Sequence, residues 1–373
     1  MRMPLAVSNG VALCKRGVSA ATVLAALALV LGEITAADQP AKTGNRGAAV
    51  RWRVATSAVR GDYVLALAVG KDGLIYSGSW GGTNVDVFAP DGALRRKLSV
   101  GIGAKALAVG KDGTVFAGTD GYTIVVFGPD GTRRGRFVVR ELSGRGGQIE
   151  ALVAGDNGVV YAAAGNDVYA IDPDGGIRWR STTLAPVDPL TMGSDGILYA
   201  GAGDAVYALG PEGTLKSKFG VGSRPRVIAA IGLVALAFGR GDTLYAGTID
   251  RMVYALDARD GAIKWTFKPR GTPFALAEGH DGAIYVGSYD GNIYALDPGA
   301  GWVRWRFSTG NGRWGENPVH ALAVGNDGVI YAGVGTSVEA IPPSMLASGG
   351  SAGAAPWRSA TTATSNRRLR RSR

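Results

Sequence analysis

Seven copies of a thirteen-residue segment recur between Ala66 and Gly333, and this recurrence constrains the fold more than any other feature of the chain. The copies cover residues 66–78, 106–118, 151–163, 189–201, 235–247, 275–287 and 321–333. The turn residues at their centres are 38 to 46 positions apart. A period of about 42 residues is typical of β-propeller blades or of helical repeats, so the content of the unit must decide between them.

The residue types in each unit favour blades. Every unit is rich in Gly, Val, Tyr and Ile, and Asp-Gly pairs interrupt it too often for helices of about ten residues or more. In the sixth unit the pattern predicts strands at 274–278, 283–288, 292–297 and 302–307. Asp-Gly between alternating apolar runs is a strong hairpin signal, because glycine accepts the positive φ of such turns. Four short antiparallel strands per unit form a propeller blade.

The seventh unit lacks its fourth strand, because the chain passes from Ile341 directly into Pro342-Pro343. A matching segment, Val50-Arg51-Trp52-Arg53-Val54, instead precedes the first unit. Pairing this segment with the last blade would remove an unpaired sheet edge. We therefore predict an all-β fold, a seven-bladed β-propeller of four-stranded antiparallel blades, closed by residues 49–55.

The leading segment, residues 1–37, has the pattern of a signal peptide: basic residues, an apolar stretch at 18–31 and a small-residue end. The roughly 14 apolar residues are fewer than the ~20 that span a bilayer, although an uncleaved anchor is the alternative. The single cysteine, Cys14, lies in this segment. We expect a secreted or periplasmic monomer without a transmembrane segment after cleavage, with residues 38–48 as a linker and 49–343 as the propeller.

Charge is concentrated at the chain's ends. Residues 344–373 contain six basic and no acidic residues and are predicted to be a disordered basic tail. The net charge of the whole chain is +10, but residues 38–343 contain 31 basic and 29 acidic residues. Because nucleic-acid binding needs a concentrated basic face, the near-neutral propeller argues against a nucleic acid as the main partner.

Three unit ends share the order Ala-x-Asp, a turn ending in Gly, and then Trp, at residues 170–179, 255–265 and 295–305. This order resembles the tryptophan-docking repeat of pyrroloquinoline-quinone (PQQ) type β-propellers, and the likeness covers residues 49–341. In units one, two and four the strand ends with Leu98, Phe137 and Phe219 and has no tryptophan.

The resemblance implies two functional branches. One consists of quinone-dependent dehydrogenases with eight blades, a vicinal cysteine pair, and Glu, Asn and Asp around a calcium ion. The other consists of non-catalytic envelope proteins, including the scaffold lipoprotein of the outer-membrane β-barrel assembly machinery, which has eight blades and a lipidated cysteine. This chain has seven units and no cysteine after residue 37, and no stretch matches the calcium residues. We therefore expect the non-catalytic branch, without PQQ, another cofactor or a metal ion.

In a propeller, the loops between second and third strands share one face with the connections between blades, and functional residues concentrate on such loops. The longest connection ends in Arg313, Trp314, Glu316, Asn317 and His320. Tryptophan can stack on a sugar or a proline while polar side chains supply directional hydrogen bonds. Alternatively, Trp314 closes the ring's entrance and the polar residues satisfy the loop backbone. The predicted ligand-binding residues on this face are Trp80, Tyr122, Arg251, Tyr289, Asp290, Arg313, Trp314, Glu316, Asn317 and His320.

These patterns predict a non-catalytic scaffold that binds a protein or a polysaccharide of the cell envelope through its loop face. The alternative is a propeller enzyme. It would be a degenerate quinone oxidoreductase, or a lyase or lactonase in which channel acids and His320 perform acid–base chemistry.

Overall fold

The computed structural model describes residues 50–56, 62–139, 148–155, 158–222, 232–310 and 317–342. These residues form seven four-stranded antiparallel sheets, and within each blade the strands follow one another in space. The first strand of the chain, β1 (Trp52–Ala55), belongs to the last blade. Blade 1 consists of β2 (Val64–Val69), β3 (Ile75–Ser79), β4 (Asn84–Phe88) and β5 (Leu94–Ser99). Blade 2 consists of β6 (Ala104–Val109), β7 (Val115–Thr119), β8 (Thr123–Phe127) and β9 (Arg133–Val138).

The next four blades repeat this arrangement. Blade 3 consists of β10 (Ile149–Ala154), β11 (Val160–Ala164), β12 (Asp167–Ile171) and β13 (Ile177–Thr182). Blade 4 consists of β14 (Val187–Met192), β15 (Leu198–Ala202), β16 (Ala205–Leu209) and β17 (Leu215–Gly220). Blade 5 consists of β18 (Leu233–Gly239), β19 (Thr243–Thr248), β20 (Val253–Asp257) and β21 (Ile263–Phe267). Blade 6 consists of β22 (Pro273–Glu278), β23 (Ile284–Ser288), β24 (Asn292–Leu296) and β25 (Val303–Ser308).

Blade 7 combines the two ends of the propeller. Its first three strands are β26 (Val319–Val324), β27 (Ile330–Val334) and β28 (Ser337–Ile341), and β1 pairs antiparallel with β28 as the fourth. Trp52 lies opposite Ala340. The innermost strand β2 contacts both β26 and β6, so the ring is closed. The predicted seven-bladed propeller, sealed by its leading segment, is confirmed.

Glycines in the second strands allow neighbouring blades to approach closely. A Cβ atom on Gly78 would lie 2.6 Å from the carbonyl oxygen of Ala104 in the next blade. A Cβ on Gly247 would lie 2.7 Å from the carbonyl oxygen of Pro273. Both contacts are with backbone, which cannot move aside without shifting a strand, so a larger side chain would push the blades apart.

Tryptophans on the outermost strands of blades 3, 5 and 7 join these blades to the next ones. Trp265 packs on Tyr245 of its own blade with ring centroids 5.6 Å apart, and it covers Gly301 of blade 6. Its Nε1–H donates a hydrogen bond to the carbonyl oxygen of Pro298, at 2.8 Å. Trp52 and Trp179 make the same three contacts. Each packs on a tyrosine of its own blade, covers a glycine of the following blade, and donates a hydrogen bond to a proline carbonyl there. The tryptophan pattern is therefore a structural element of the core.

The strand ends form two rims. The turns between first and second strands, and between third and fourth strands, lie at one end of each blade, which we call the turn rim. The turns between second and third strands lie with the blade-to-blade connections at the other end, the loop rim. There, the N–H of Tyr289 donates to the carbonyl oxygen of Thr272 at 2.9 Å, and the N–H of Trp80 donates to that of Tyr63 at 3.1 Å. The predicted sharing of one face by these two kinds of loop is thus confirmed. Within the described ranges no helix is long and apolar enough to cross a bilayer.

Candidate functional site

A β-bulge near the loop-rim end of every innermost strand marks a ring of seven residues. In blade 1, for example, Val64 pairs with Ser79 and Ala66 pairs with Gly78, which leaves Leu65 as the extra residue. Bulges of this kind re-aim a side chain and are common beside functional sites. We call the seven equivalent residues the channel mouth, because they surround the loop-rim end of the central channel. They are Leu65, Lys105, Glu150, Asp188, Val234, Phe274 and His320.

One side of the channel mouth is charged. Lys105, Glu150 and Asp188 occupy the bulges of blades 2, 3 and 4. The Lys105 side chain is 8% exposed, donates a hydrogen bond to Gln148 Oε1 and lies 3.5 Å from Asp120 Oδ1. One ammonium group therefore faces several carboxyl groups in a confined space. We call these residues, with Asp120, the charged half.

Confinement changes the protonation of the charged half. Burial raises the pKa of Asp188 to about 7, the negative charge of Glu150 raises it too, and Lys105 opposes both effects. Burial also raises the pKa of Glu150 and that of Asp120, again against Lys105. Near neutral pH the charged half therefore exchanges a proton readily. A cationic group entering the channel would favour its fully ionised form.

The opposite side of the channel mouth is aromatic. The imidazole of His320 lies 5.0 Å from the Phe274 ring and 5.3 Å from the Tyr63 ring, measured between centroids. Tyr289 completes this aromatic half, 5.9 Å from Phe274 and 6.5 Å from His320. Burial lowers the pKa of His320 to about 4. His320 is therefore neutral at physiological pH and contributes an apolar surface and a weak base.

Two of the residues predicted from the sequence, Tyr289 and His320, thus meet in the aromatic half. Asp290 serves its own blade: its carboxylate accepts hydrogen bonds from the hydroxyl of Tyr294 at 2.6 Å and from the N–H of Asn292 at 3.0 Å. The backbone carbonyl of Asn317 accepts a hydrogen bond from Thr309 Oγ1 at 3.3 Å. Arg313, Trp314 and Glu316 lie outside the described residues, so their place in the site stays a prediction.

Three more of the predicted residues, Trp80, Tyr122 and Arg251, lie on turns of the loop rim. Tyr122 and Arg251 have positive φ angles of 56° and 67°, at the turn position where blade 6 has Gly291 with φ 73°. A side chain costs roughly 1 kcal/mol in this left-handed conformation. Such strain commonly accumulates at functional sites. Both side chains are therefore candidates for ligand contact from the rim rather than from the channel.

Lys105, Glu150 and Asp188 were not predicted from the sequence, although a signal for them exists. Each bulge residue immediately precedes one copy of the thirteen-residue repeat. The residues that follow are nearly constant, whereas this position changes from leucine to lysine, glutamate, aspartate, valine, phenylalanine and histidine. A position that varies in chemistry beside a uniform repeat indicates a surface shaped for something other than packing.

The described residues do not fit the calcium ion that accompanies the quinone in PQQ-dependent dehydrogenases. Among them, no group of three or more His, Cys, Asp and Glu side chains could hold a metal ion. Within the charged half, Asp120 is directed at the ammonium group of Lys105. The expectation that the protein uses no cofactor stays a prediction, because a fold and the site that it carries are separate properties.

Comparison with known proteins agrees with the fold. A family model described as outer membrane protein assembly factor BamB matches residues 202–369, which begin at the end of β15. No curated protein matches the chain. The seven four-stranded blades, the tryptophans that dock on the glycine of the following blade, and this match over the second half of the propeller support a β-propeller repeat protein of the PQQ type.

Proposed function

We propose that this protein is a non-catalytic scaffold of the cell envelope, secreted or periplasmic, that binds a segment of another protein at its channel mouth. The observation that carries the proposal is the division of the mouth into an aromatic half and a charged half. A protein segment can present an apolar side chain to Phe274 and Tyr289 and a lysine or arginine to Glu150 and Asp188.

The geometry of the aromatic half favours a protein over a polysaccharide. Sugars bind to open, flat aromatic faces. Here the planes of Phe274 and Tyr289 are 68° apart, and those of Phe274 and His320 are 36° apart. Tilted rings form a shallow apolar wall, which suits the branched or aromatic side chain of a protein. The matched family model is named for an assembly factor, which also supports a protein partner.

The proposed location has two supports. Residues 1–37 have the composition of a secretory signal. The matched family is named for assembly at the outer membrane. Detecting the protein in the periplasmic or extracellular fraction, with a new N-terminus near Asp38, would test this location directly.

Site-specific photo-crosslinking tests the binding site. A photo-reactive phenylalanine analogue replaces Tyr289 in the mouth or, as a control, Leu184, which is 85% exposed on the loop rim between blades 3 and 4. We expect a discrete adduct with an envelope protein from position 289 and none from position 184. The identified partner is then titrated in solution against the Glu150→Gln/Asp188→Asn variant, for which we expect at least tenfold weaker binding.

Two results would contradict the scaffold proposal. One is an adduct pattern that is identical at both positions. The other is an adduct that consists of polysaccharide alone. A matched Asp204→Asn variant removes an exposed carboxyl group on the same rim and should leave binding unchanged.

The charged half also favours a second candidate function, acid–base catalysis as a lyase or lactonase. A carboxyl group whose pKa is about 7, such as Asp188, can both accept and release a proton at physiological pH. The test is hydrolysis or elimination with a panel of lactones and uronate-containing oligosaccharides. Turnover that follows the ionisation of Asp188 and disappears in Asp188→Asn would establish catalysis over the scaffold role.

A further inference from the structure

Three blade junctions lack the indole ring that fills the others, because Arg96, Gly135 and Ser217 stand at the tryptophan position of blades 1, 2 and 4. Of these three residues only Gly135, at the junction between blades 2 and 3, has no side chain. Trp179 of blade 3 lies opposite Ala170 in its sheet, and at the equivalent position of blade 2 Gly135 lies opposite Val126. From the sequence, Phe137 is expected to end this strand in place of a tryptophan. The structure shows that Phe137 lies two residues beyond the tryptophan position, and its ring covers Gly175 of blade 3.

A cleft of about 210 Å³ opens beside Gly135 on the turn rim. Its apolar walls are Phe116, Val126 and Phe137. Phe116 is the counterpart of Tyr161, on which Trp179 packs in blade 3 at 5.8 Å. For scale, an engineered apolar cavity of about 150 Å³ is large enough to bind benzene. The cleft therefore has room for an aromatic ring supplied from outside.

The polar groups of the cleft match an indole with basic neighbours. Pro173 lines the cleft at the turn position of Pro211, whose carbonyl oxygen accepts the Nε1–H of Trp179 at 2.7 Å. Two carboxylates, Asp112 and Asp174, also line it, together with Arg134, whose guanidinium donates a hydrogen bond to Thr114 Oγ1 at 3.4 Å. In the chain's own outermost strands, Trp52, Trp179 and Trp305 each have an arginine on both sides. The hydrogen bond from Thr114 and the charge of Arg134 lower the pKa of Asp112, so a basic residue beside an incoming tryptophan would face Asp174.

We propose that this cleft is a docking site for a tryptophan side chain with basic neighbours, presented by a segment of a partner protein. The cleft lies on the turn rim, so it is a second interaction surface, separate from the channel mouth. The partner's indole would pack on Phe116 and donate its N–H to the carbonyl oxygen of Pro173, as Trp179 and Trp265 donate to Pro211 and Pro298 at their own junctions.

The test uses the full chain and a labelled peptide, acetyl-Gly-Arg-Trp-Arg-Gly-amide, followed by fluorescence polarisation. We expect saturable binding, and at least tenfold weaker binding when alanine replaces the peptide's tryptophan. The protein variant Gly135→Trp should also bind at least tenfold more weakly, because its own indole would fill the cleft. A Cβ at Gly135 meets only the Phe137 ring, at 3.5 Å, so the backbone here accepts a side chain, and the cleft has room for its ring.

Ser217→Trp is the matched control, because Ser217 lies opposite Ala208 at the same strand position of blade 4. This variant should bind the peptide like the wild type. Nuclear Overhauser contacts between the peptide's indole and the rings of Phe116 and Phe137 provide a measurement on the wild type that does not depend on any variant. Absence of these contacts, or equal binding by Gly135→Trp, would overturn the proposal.

The chain's own Trp357, which precedes Arg358, is the competing occupant. If the peptide binds Trp357→Ala and wild type equally, the cleft is open to a partner and the proposal is supported. If only Trp357→Ala binds, the tail of the chain fills the cleft, and docking of a partner is excluded. The channel-mouth variants leave the cleft unchanged, so the outcome is independent of the function proposed for the mouth.

Discussion

The turn rim and the loop rim are built from the same repeat but differ in regularity. On the turn rim, the aspartate of the first turn accepts a hydrogen bond from the N–H two residues later in at least five blades. These aspartates are Asp72, Asp112, Asp195, Asp281 and Asp327. On the loop rim, the positive-φ position in the turn between second and third strands is Gly291 in blade 6 but Tyr122 in blade 2 and Arg251 in blade 5. Uniform residues indicate a structural requirement, whereas variable residues leave room for function.

This difference predicts that substitutions on the two rims have different consequences. Changes to the turn-rim contacts should lower the free energy of unfolding and leave the channel mouth intact. Changes at the loop rim and channel mouth should alter protonation and binding, with smaller or even favourable effects on stability. The cleft beside Gly135 is the exception on the turn rim, because the tryptophan position of that blade junction has no side chain.

The largest expected effect is that of Trp265→Ala. The variant loses packing on Tyr245 and Gly301 and the hydrogen bond to Pro298. Replacing a buried tryptophan by alanine costs about 3 to 5 kcal/mol. We expect this loss in urea unfolding followed by far-ultraviolet circular dichroism, with binding at the mouth unchanged at temperatures where the variant is folded.

Trp302→Ala is the control for this prediction, because Trp302 lies on the same rim but is 56% exposed. Its expected cost is below about 0.5 kcal/mol. If both variants lost the same unfolding free energy, the docking contacts of the buried Trp265 would not be what stabilises the turn rim.

The blades were predictable from the sequence because their contacts are local and repeated. The Asp-Gly turns, the strand alternation and the tryptophans each have a short-range cause, and the missing fourth strand required the closure by residues around Trp52. The channel mouth was less predictable. Glu150 and Asp188 belong to different blades, and they meet only because a bulge in each innermost strand turns its side chain toward a shared axis. No single repeat contains that information.

The second prediction concerns Asp188→Asn and the pH dependence of stability. The pKa of Asp188 is about 7 in the folded state against 3.8 in its ordinary state, so the folded protein binds more protons between these values. Stability therefore falls as the pH rises from about 4 to about 7. We expect Asp188→Asn to equal the wild type near pH 4 and to exceed it by about 2 to 4 kcal/mol at pH 8.

Urea unfolding at intervals from pH 4 to pH 8 measures this difference. The lowered pKa of His320 has the opposite effect, since stability falls as the pH drops from about 6.5 to about 4. Both proteins retain His320, so its contribution cancels when they are compared. The exposed Asp204 provides the control: Asp204→Asn should follow the wild-type curve at every pH. A constant difference between Asp188→Asn and wild type would show that Asp188 is already ionised at pH 4.

The smallest effect is expected for Arg251→Gly, and its sign distinguishes the rims most sharply. Arg251 is exposed, and its backbone is held at a φ of 67°. Glycine removes this strain, but it is more flexible in the unfolded chain and loses the exposed 3.4 Å hydrogen bond from Arg251 Nη1 to the carbonyl oxygen of Arg270. The net gain in unfolding free energy should therefore be about 0.5 kcal/mol. Gly291→Ala introduces the same strain at the same turn position of blade 6 and should lose about 1 kcal/mol. If Arg251→Gly gains stability and also binds the partner less tightly, the strained side chain is retained for binding. If stability rises and binding is unchanged, Arg251 does not belong to the site, and the irregularity of the loop rim at this turn has no functional cause.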